Sequence, residues 1–112
     1  MRNKLVDLSS SIITGINYTR LMDVRYCYSW IVAFKWDSSL EGTLNVERCM
    51  NEDLNQTPLY FPVVADKVIT GSSGTLQIVF TEIEPAPYLR VVITKTSGSA
   101  TEVTCFFNMK GE

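Results

Sequence analysis

The feature of this sequence that most constrains its fold is a run from Tyr28 to Trp36 in which large apolar side chains occupy every second position. Tyr28, Trp30, Val32, Phe34 and Trp36 share one face of an extended chain, and smaller or polar residues lie between them. A period of two is that of a β-strand with one buried face, and it does not fit a helix, whose period is 3.6. The run therefore predicts a central strand whose aromatic side chains contribute to a core.

The same alternation recurs in shorter segments, which turns separate. The predicted strands are 28–36, 42–48, 75–80, 88–94 and 101–109, with weaker ones at 9–15, 59–61 and 67–70. Within them, apolar residues such as Leu44, Ile78 and Val91 alternate with polar ones. Strands at this regular spacing are typical of a sandwich or small barrel. We therefore predict an all-β antiparallel β-sandwich, jelly-roll or immunoglobulin-like, of about seven or eight strands.

One glycine-rich loop has two interpretations. Gly71-Ser72-Ser73-Gly74 lies between the predicted strands 67–70 and 75–80, as the loop of a β-hairpin would. A phosphate-binding loop would need a lysine after the last glycine and a helix after that, whereas Thr75 and Leu76 begin a strand. The sequence therefore predicts a hairpin here.

The length and composition fit one domain with its own core. The chain has 112 residues, of which 46% are hydrophobic and 20% charged, too apolar a mixture for a disordered chain. We predict an N-terminal arm or first edge strand at 1–20 and a β-sandwich domain at 21–112. The first segment is weakly patterned, so we expect it to become ordered against a neighbouring subunit.

Charge and cysteine content exclude several partners and ligands. The net charge is −2 and the ten Lys and Arg residues are scattered, so no basic stripe is present for a nucleic acid. No apolar run is long enough for a signal peptide or a membrane span, and we expect a protein made in the cytoplasm without a membrane partner. The chain has three cysteines, Cys27, Cys49 and Cys105, so they cannot all be paired in disulfides within one chain. It has no histidine to help bind zinc. We expect three reduced thiols, with one disulfide as the alternative.

The residue types that catalysis usually needs are missing or isolated. Histidine, the commonest general base near neutral pH, is absent, and no G-x-S-x-G nucleophile motif occurs. Two carboxylate pairs remain, Glu82 with Glu84 and Glu52 with Asp53, and we interpret both as solvated charges at strand ends or in loops. We therefore expect no enzymatic activity, no cofactor and no metal.

The aromatic residues leave a second function open. Trp30 and Phe34 are predicted to lie in the core, whereas Trp36 ends its strand and Tyr60 and Tyr88 lie near loops. Exposed aromatic rings of this kind bind sugars in many β-sandwich domains. A carbohydrate-binding or host-receptor-binding module, associated with a phage tail or fibre, is therefore the alternative hypothesis.

Three segments together resemble a known class of proteins. They are 28–32 (YSWIV), 42–47 (GTLNVE) and 88–94 (YLRVVIT), the last followed by 96–101 (TSGSAT) and by Lys110-Gly111. In this order they resemble small β-sandwich proteins of tailed phages and related virions, which act as capsid decoration (cement) or accessory structural subunits. Such proteins often carry a Ser-Asn-Asp-Gly-like turn and a tryptophan after the second segment, and this chain departs from that pattern at 48–54.

The resemblance implies a virion protein that binds the major capsid protein or other virion subunits. It also implies a homo-oligomer, for which we take a trimer as the working guess. The candidate interface residues are Arg2, Lys4, Trp36, Tyr60 and Arg90. Two roles are open for Arg90, a buried pairing residue or an interface anchor, and its direction away from Leu89, Val91 and Ile93 favours a structural role.

Overall fold

The computed structural model describes residues 2–50, 59–63 and 66–111, in which all regular secondary structure is strand. The strands are β1 (Arg2–Asp7), β2 (Ser10–Ser11), β3 (Gly15–Tyr18), β4 (Met22–Asp23), β5 (Cys27–Trp36), β6 (Glu41–Cys49), β7 (Tyr60–Pro62), β8 (Lys67–Ile69), β9 (Gly74–Phe80), β10 (Tyr88–Ser97) and β11 (Glu102–Gly111). The described residues form no helix that is long and apolar enough to cross a membrane.

The strands form two antiparallel sheets that pack as a sandwich. The first sheet has the order β1-β11-β5-β9, with β2 also paired to β11, and the second has the order β3-β10-β6-β7, with β4 paired to β10 and β8 to β6. The chain crosses between the sheets after β2, β4, β5, β8, β9 and β10, and the first strand lies beside the last, which is the order of a jelly roll. The predicted β-sandwich is confirmed, and the jelly-roll alternative is the one observed. The described residues form eleven strands, more than the seven or eight predicted, because residues 2–23 form four strands, β1 to β4, where one weak strand was predicted at 9–15.

The core lies between the two sheets, where the sequence pattern predicts it. Trp30, Val32 and Phe34 of β5 are buried, and so are Leu44, Val46, Leu89, Val91 and Ile93 of the facing sheet. The ring of Trp30 stacks on those of Phe80 and Phe107, with centroids 5.4 and 5.8 Å apart. Stacked aromatic rings of this kind contribute beyond the area that they bury.

The predicted hairpin at Gly71–Gly74 is wrong. Strand β8 pairs with β6 in the second sheet and β9 pairs with β5 in the first, so the loop carries the chain from one sheet to the other. The Gly71 carbonyl accepts hydrogen bonds from the backbone N–H of Leu40 (3.0 Å) and from Nε1 of Trp36 (3.2 Å). These bonds tie the loop to the end of β5 and to the β5–β6 connection, between two strands, β8 and β9, that belong to different sheets.

The N-terminal segment pairs with strands of its own chain. Strand β1 runs along β11 from Arg2 opposite Gly111 to Asp7 opposite Phe106, and β3 runs along β10. Leu8 and Ile12, between these strands, are buried in the core. In this structure, residues 2–18 therefore supply an edge strand to each sheet without a neighbouring subunit. The division of the chain at residue 20 stays a prediction.

Glu84 joins the two sheets through a buried ion pair. Its side chain is 0% exposed, and Oε2 accepts a hydrogen bond from Nε1 of Trp30 in the first sheet at 2.8 Å. Oε1 accepts from Nε of Arg48 in the second sheet. The interpretation of Glu84 as a solvated charge is therefore wrong, because its carboxylate has buried partners from both sheets. The other carboxylate pair, Glu52 and Asp53, lies outside the described residues.

The three cysteines are free and buried. Burial raises the pKa of the Cys105 thiol to about 12, and the negative charge of Asp7 adds to this effect. Burial likewise raises the pKa of Cys27. Since the thiolate is the reactive form, both thiols are protected from oxidation and alkylation in the folded chain.

The shifted pKa of Cys105 predicts a loss of stability at alkaline pH. The unfolded thiol loses its proton near pH 9.0, whereas the folded one keeps it until about pH 12. The unfolded state therefore binds fewer protons in this window, and the free energy of unfolding falls as the pH rises from about 9 towards 12. Urea denaturation across this range should give a shallower slope for Cys105→Ala than for the original chain. Equal slopes would contradict the prediction.

Candidate functional site

A paired arginine and glutamate lie on the outer face of the second sheet. Arg90 of β10 and Glu47 of β6 are directly opposite in the register, and both point away from the core because the neighbouring Leu89 and Val91 point into it. Nε and Nη2 of Arg90 donate to Oε1 of Glu47 at 2.8 and 2.7 Å. The side chains are 15% and 23% exposed, so water screens this ion pair less than one in open solvent.

Two tyrosine rings enclose the guanidinium of Arg90. Its Cζ atom lies 4.0 Å from the ring centroid of Tyr18 in β3 and 3.3 Å from that of Tyr60 in β7. Each such cation–π contact contributes about 0.5 to 1 kcal/mol, and more where water is excluded. We call Tyr18, Glu47, Tyr60 and Arg90 the tyrosine–arginine cluster. It reaches across β3, β10, β6 and β7, the full width of the sheet.

The tyrosine–arginine cluster is ordered before any partner binds. The ion pair and the two rings fix the long side chain of Arg90, whose rotamers would otherwise have to be restricted on binding. The ring of Tyr18 is 56% exposed and presents a flat amphipathic surface to solvent. Tyrosine and arginine, together with tryptophan, are the residue types that most often anchor protein interfaces.

The surroundings of the tyrosine–arginine cluster mix apolar and polar groups. Ile16 of β3 and Val68 of β8 expose apolar side chains on the same face. Asn45 of β6 donates from Nδ2 to Oδ1 of Asp66 at 2.7 Å, and its own Oδ1 is buried and accepts no hydrogen bond from the described residues.

A second paired arginine lies near one end of the same sheet. Nε and Nη2 of Arg25 donate to the carboxylate of Asp23 in β4, at 3.0 and 2.6 Å, and this contact lowers the pKa of Asp23. Both side chains are about half exposed. Surface pairs of this kind contribute roughly 0 to 1 kcal/mol. Arg25 therefore offers a control for Arg90, as a paired surface arginine that lies outside the tyrosine–arginine cluster.

The structure brings together two of the five predicted interface residues. Tyr60 and Arg90 belong to the tyrosine–arginine cluster, whereas Arg2 and Lys4 lie in β1, in the other sheet. Of the two roles predicted for Arg90, the pairing with Glu47 is observed.

The sequence leaves Trp36 open between the core and the candidate interface, and the structure places it in the core. Trp36 is only 4% exposed, and its Nε1 donates to the carbonyl of Gly71. The Gly71–Gly74 loop closes over the indole so tightly that a Cβ atom on Gly74 would lie 2.5 Å from the ring. Trp36 is therefore a core residue and is removed from the candidate surface.

Sequence reasoning missed Tyr18 and Glu47. Alternation in β6 predicts that Glu47 points outward, and the same pattern in β10 predicts it for Arg90, but the pairing of the two appears only once the register is known. Tyr18 lies in the weakly patterned first segment, where no local signal marks it.

No metal centre is present among the described residues, because no three His, Cys, Asp or Glu side chains there are close enough to hold an ion. The expectations that the chain needs no cofactor and is not an enzyme stay predictions.

Comparison with known proteins assigns the chain to no family. No protein-family model and no curated protein matches the chain. The chain is similar to a protein of infectious bursal disease virus, Gx strain (17% identity, TM-score 0.48), covering 98% of this chain and 32% of that one. It is also similar to a protein of Bacillus endospore appendages, described as disulfide-linked pili (12% identity, TM-score 0.49), covering 98% of this chain and 87% of that one. A third similar structure is the N-terminal cellulose-binding domain of Cellulomonas fimi β-1,4-glucanase C (10% identity, TM-score 0.48), with 95% of this chain and 78% of that one covered. The chain spans about a third of the viral protein. At these values, the similarities carry no argument about function.

Proposed function

We propose that this chain is a non-enzymatic structural protein of a phage particle, which decorates or stabilises the capsid by binding capsid subunits. The observation that carries the proposal is the tyrosine–arginine cluster, an anchor that is ordered in advance on a solvent-facing sheet. The resemblance of 28–32, 42–47 and 88–94 to capsid decoration proteins supports the choice of partner. The fold itself does not select it, because jelly rolls serve both virion and sugar-binding proteins.

The chemistry of the tyrosine–arginine cluster suits a protein partner. Glu47 neutralises the charge of Arg90, so binding does not bury an unpaired charge. Exposed apolar side chains, Ile16 and Val68, lie on the same face. An aromatic and arginine anchor surrounded by weaker contacts that exclude water is the usual composition of a protein interface.

Replacing Arg90 by alanine is expected to prevent incorporation into particles. The change removes the group that both tyrosine rings contact and leaves Glu47 without its partner, so we expect binding to weaken by about 30-fold, the effect of losing a hot-spot residue. The tagged chain is expressed from the genome that encodes it, and the particles that form are banded on a density gradient. Mass spectrometry then measures the ratio of the tagged chain to the major capsid protein in the banded particles.

The control for this experiment is Arg25→Ala, which removes a paired surface arginine outside the tyrosine–arginine cluster and should leave incorporation unchanged. Urea denaturation of both variants shows that each is folded. Absence of the original chain from banded particles, or equal incorporation of both variants, would overturn the proposal. A ratio that matches tail subunits would assign the chain to the tail, where a receptor-binding role becomes the better hypothesis.

Carbohydrate binding is the second candidate, and the placement of Tyr18 and Tyr60 on one sheet face favours it. Each ring has one side against Arg90, and Tyr18 is 56% exposed, so its ring can present a surface to a sugar. Both tryptophans are buried, so a glycan panel is best read by calorimetry instead of tryptophan fluorescence. Saturable binding that Tyr18→Ala abolishes, together with absence from particles, would establish this function in place of the first.

A further inference from the structure

We propose that two copies of this chain associate through the free edge of β9 and so continue the first sheet across a two-fold axis. This inference goes beyond the proposed function and does not rest on it. Strand β9 pairs with β5 along its whole length, from Gly74 opposite Trp36 to Phe80 opposite Trp30. Among the described residues, no other strand pairs with β9. Its outer row of backbone N–H and C=O groups is therefore a template for another strand.

The two edges of the first sheet differ in charge. At one edge, β1 carries Lys4 and Asp7, and charged residues of this kind discourage pairing with a further strand. At the other edge, β9 has no charged residue, and none occurs in the sequence from Thr70 to Thr81. Strand β9 also contains no proline, and its register with β5 has no bulge. The usual devices that block an edge are thus absent from β9.

The sequence of β9 is compatible with pairing to itself. An antiparallel pair centred on Gln77, the middle residue of the strand, places Thr75 opposite Val79 of the second copy and Leu76 opposite its Ile78. Leu76 and Ile78 lie on the core side, so the apolar pairs extend the core, and the outward pairs are uncharged. Cross-strand pairs of β-branched and apolar residues stabilise a sheet, and a two-fold axis uses each of them twice.

No like charges face each other in this arrangement. The nearest cation on the outer face of β5 is Lys35, opposite Thr75, and it is paired with Asp37 at 3.7 Å. A second copy therefore meets a neutral edge. A partner of strong charge would gain nothing from such an edge, which is why we choose a copy of the same chain as the occupant.

The first test compares two lysine substitutions on one face of the sheet. Val79 is 52% exposed in β9 and Leu5 is 65% exposed in β1, at the opposite edge. We expect the original chain to form a dimer whose fraction rises with concentration, because edge pairing buries less area than a standard interface. Val79→Lys places a charge at the junction and should weaken the dimer at least about 10-fold, whereas Leu5→Lys should not change it.

The mass is measured by sedimentation or light scattering across a wide range of concentrations. A monomer at every concentration, a trimer, or a dimer that persists in Val79→Lys would each overturn the proposal. If Val79→Lys and Leu5→Lys weaken the dimer equally, the proposal is also overturned, because the copies would then associate through the outer face of the sheet and not through the edge of β9. Particle incorporation is a separate readout, so failure of one proposal does not imply failure of the other.

The second test fixes the register by disulfide crosslinking. Gln77→Cys places a thiol opposite its own copy at the two-fold axis, within reach of a disulfide. In Val79→Cys the two thiols lie about 13 Å apart along the strands and cannot bond, so this variant is the control. The native cysteines are buried and do not compete. Mild oxidation should crosslink the first variant alone, and crosslinking of neither or of both would overturn the proposed pairing.

Discussion

Replacing Glu84 by glutamine is expected to lower the free energy of unfolding by about 3 to 5 kcal/mol. The Glu84 side chain is 0% exposed, and its carboxylate is held by Arg48 and by Nε1 of Trp30. Glutamine has nearly the same shape and keeps an acceptor for Trp30. It removes the negative charge, however, and leaves the guanidinium of Arg48 without compensation at the edge of the core. Urea denaturation followed by tryptophan fluorescence measures the loss directly.

The matched control is Glu82→Gln, which makes the same chemical change on an exposed side chain in the same connection. Its effect should stay within about 0.5 kcal/mol. Arg48→Met alone should also destabilise, but combining it with Glu84→Gln should cost much less than the sum of the two losses, because neither charge is then left alone. If the losses of unfolding free energy add in the double variant, or if Glu84→Gln is as stable as the original chain, the ion pair between Arg48 and Glu84 does not stabilise the contact between the sheets.

Local alternation is sufficient to predict the long strands of this fold. Strands β5, β6, β9, β10 and β11 lie close to their predicted bounds, and their buried faces are the predicted ones. These strands combine a period of two with a face that a sheet must bury, so residues next to one another in sequence carry the information. The short strands β2 and β4 have only two residues each, and their pairing depends on β11 and β10, which lie far away in the chain.

The errors have a common physical cause, which is contact between segments that are distant in sequence. The Gly71–Gly74 loop has the composition of a hairpin, but its Gly71 carbonyl accepts hydrogen bonds from Trp36 and Leu40. The strands on its two sides, β8 and β9, pair in different sheets. The contacts with this loop also bury Trp36. Glu84 has the sequence context of a solvated charge and is buried because Arg48 and Trp30 meet it from opposite sheets.

Only two residues of the candidate site can be predicted from the sequence, because the site too depends on contacts between segments that are distant in the chain. Arg90 and Tyr60 stand out in the sequence, but the tyrosine–arginine cluster depends on the alignment of four strands. Arg48 illustrates the point, because it lies next to Glu47 and opposite Leu89 and therefore points into the core, whereas Arg90 points out. Two arginines on neighbouring strands thus have opposite roles that only the register distinguishes.

Replacing Gly98 by alanine is expected to lower the free energy of unfolding by about 3 kcal/mol, and Gly15→Ala by only about 1 kcal/mol. Both glycines have a positive φ, 114° and 111°, which a residue with a Cβ atom adopts only with strain. They differ in their surroundings. A Cβ atom on Gly98 would lie 2.3 Å from the carbonyl oxygen of Ser39 and 2.9 Å from the Cα of Leu40, whereas nothing lies within 4 Å of one on Gly15.

The atoms around Gly98 belong to the backbone and cannot rotate away. Ala100 donates its N–H to that same Ser39 carbonyl at 2.9 Å, so the β5–β6 and β10–β11 connections are locked together at this end of the sandwich. A side chain at Gly98 must therefore separate the two connections or break this bond. Thermal denaturation of the two variants isolates the steric part, since the backbone cost is common to both. If Gly98→Ala and Gly15→Ala lose the same free energy of unfolding, the contact between these connections contributes little to stability. The two connections can then separate at this end of the sandwich without destabilising the core.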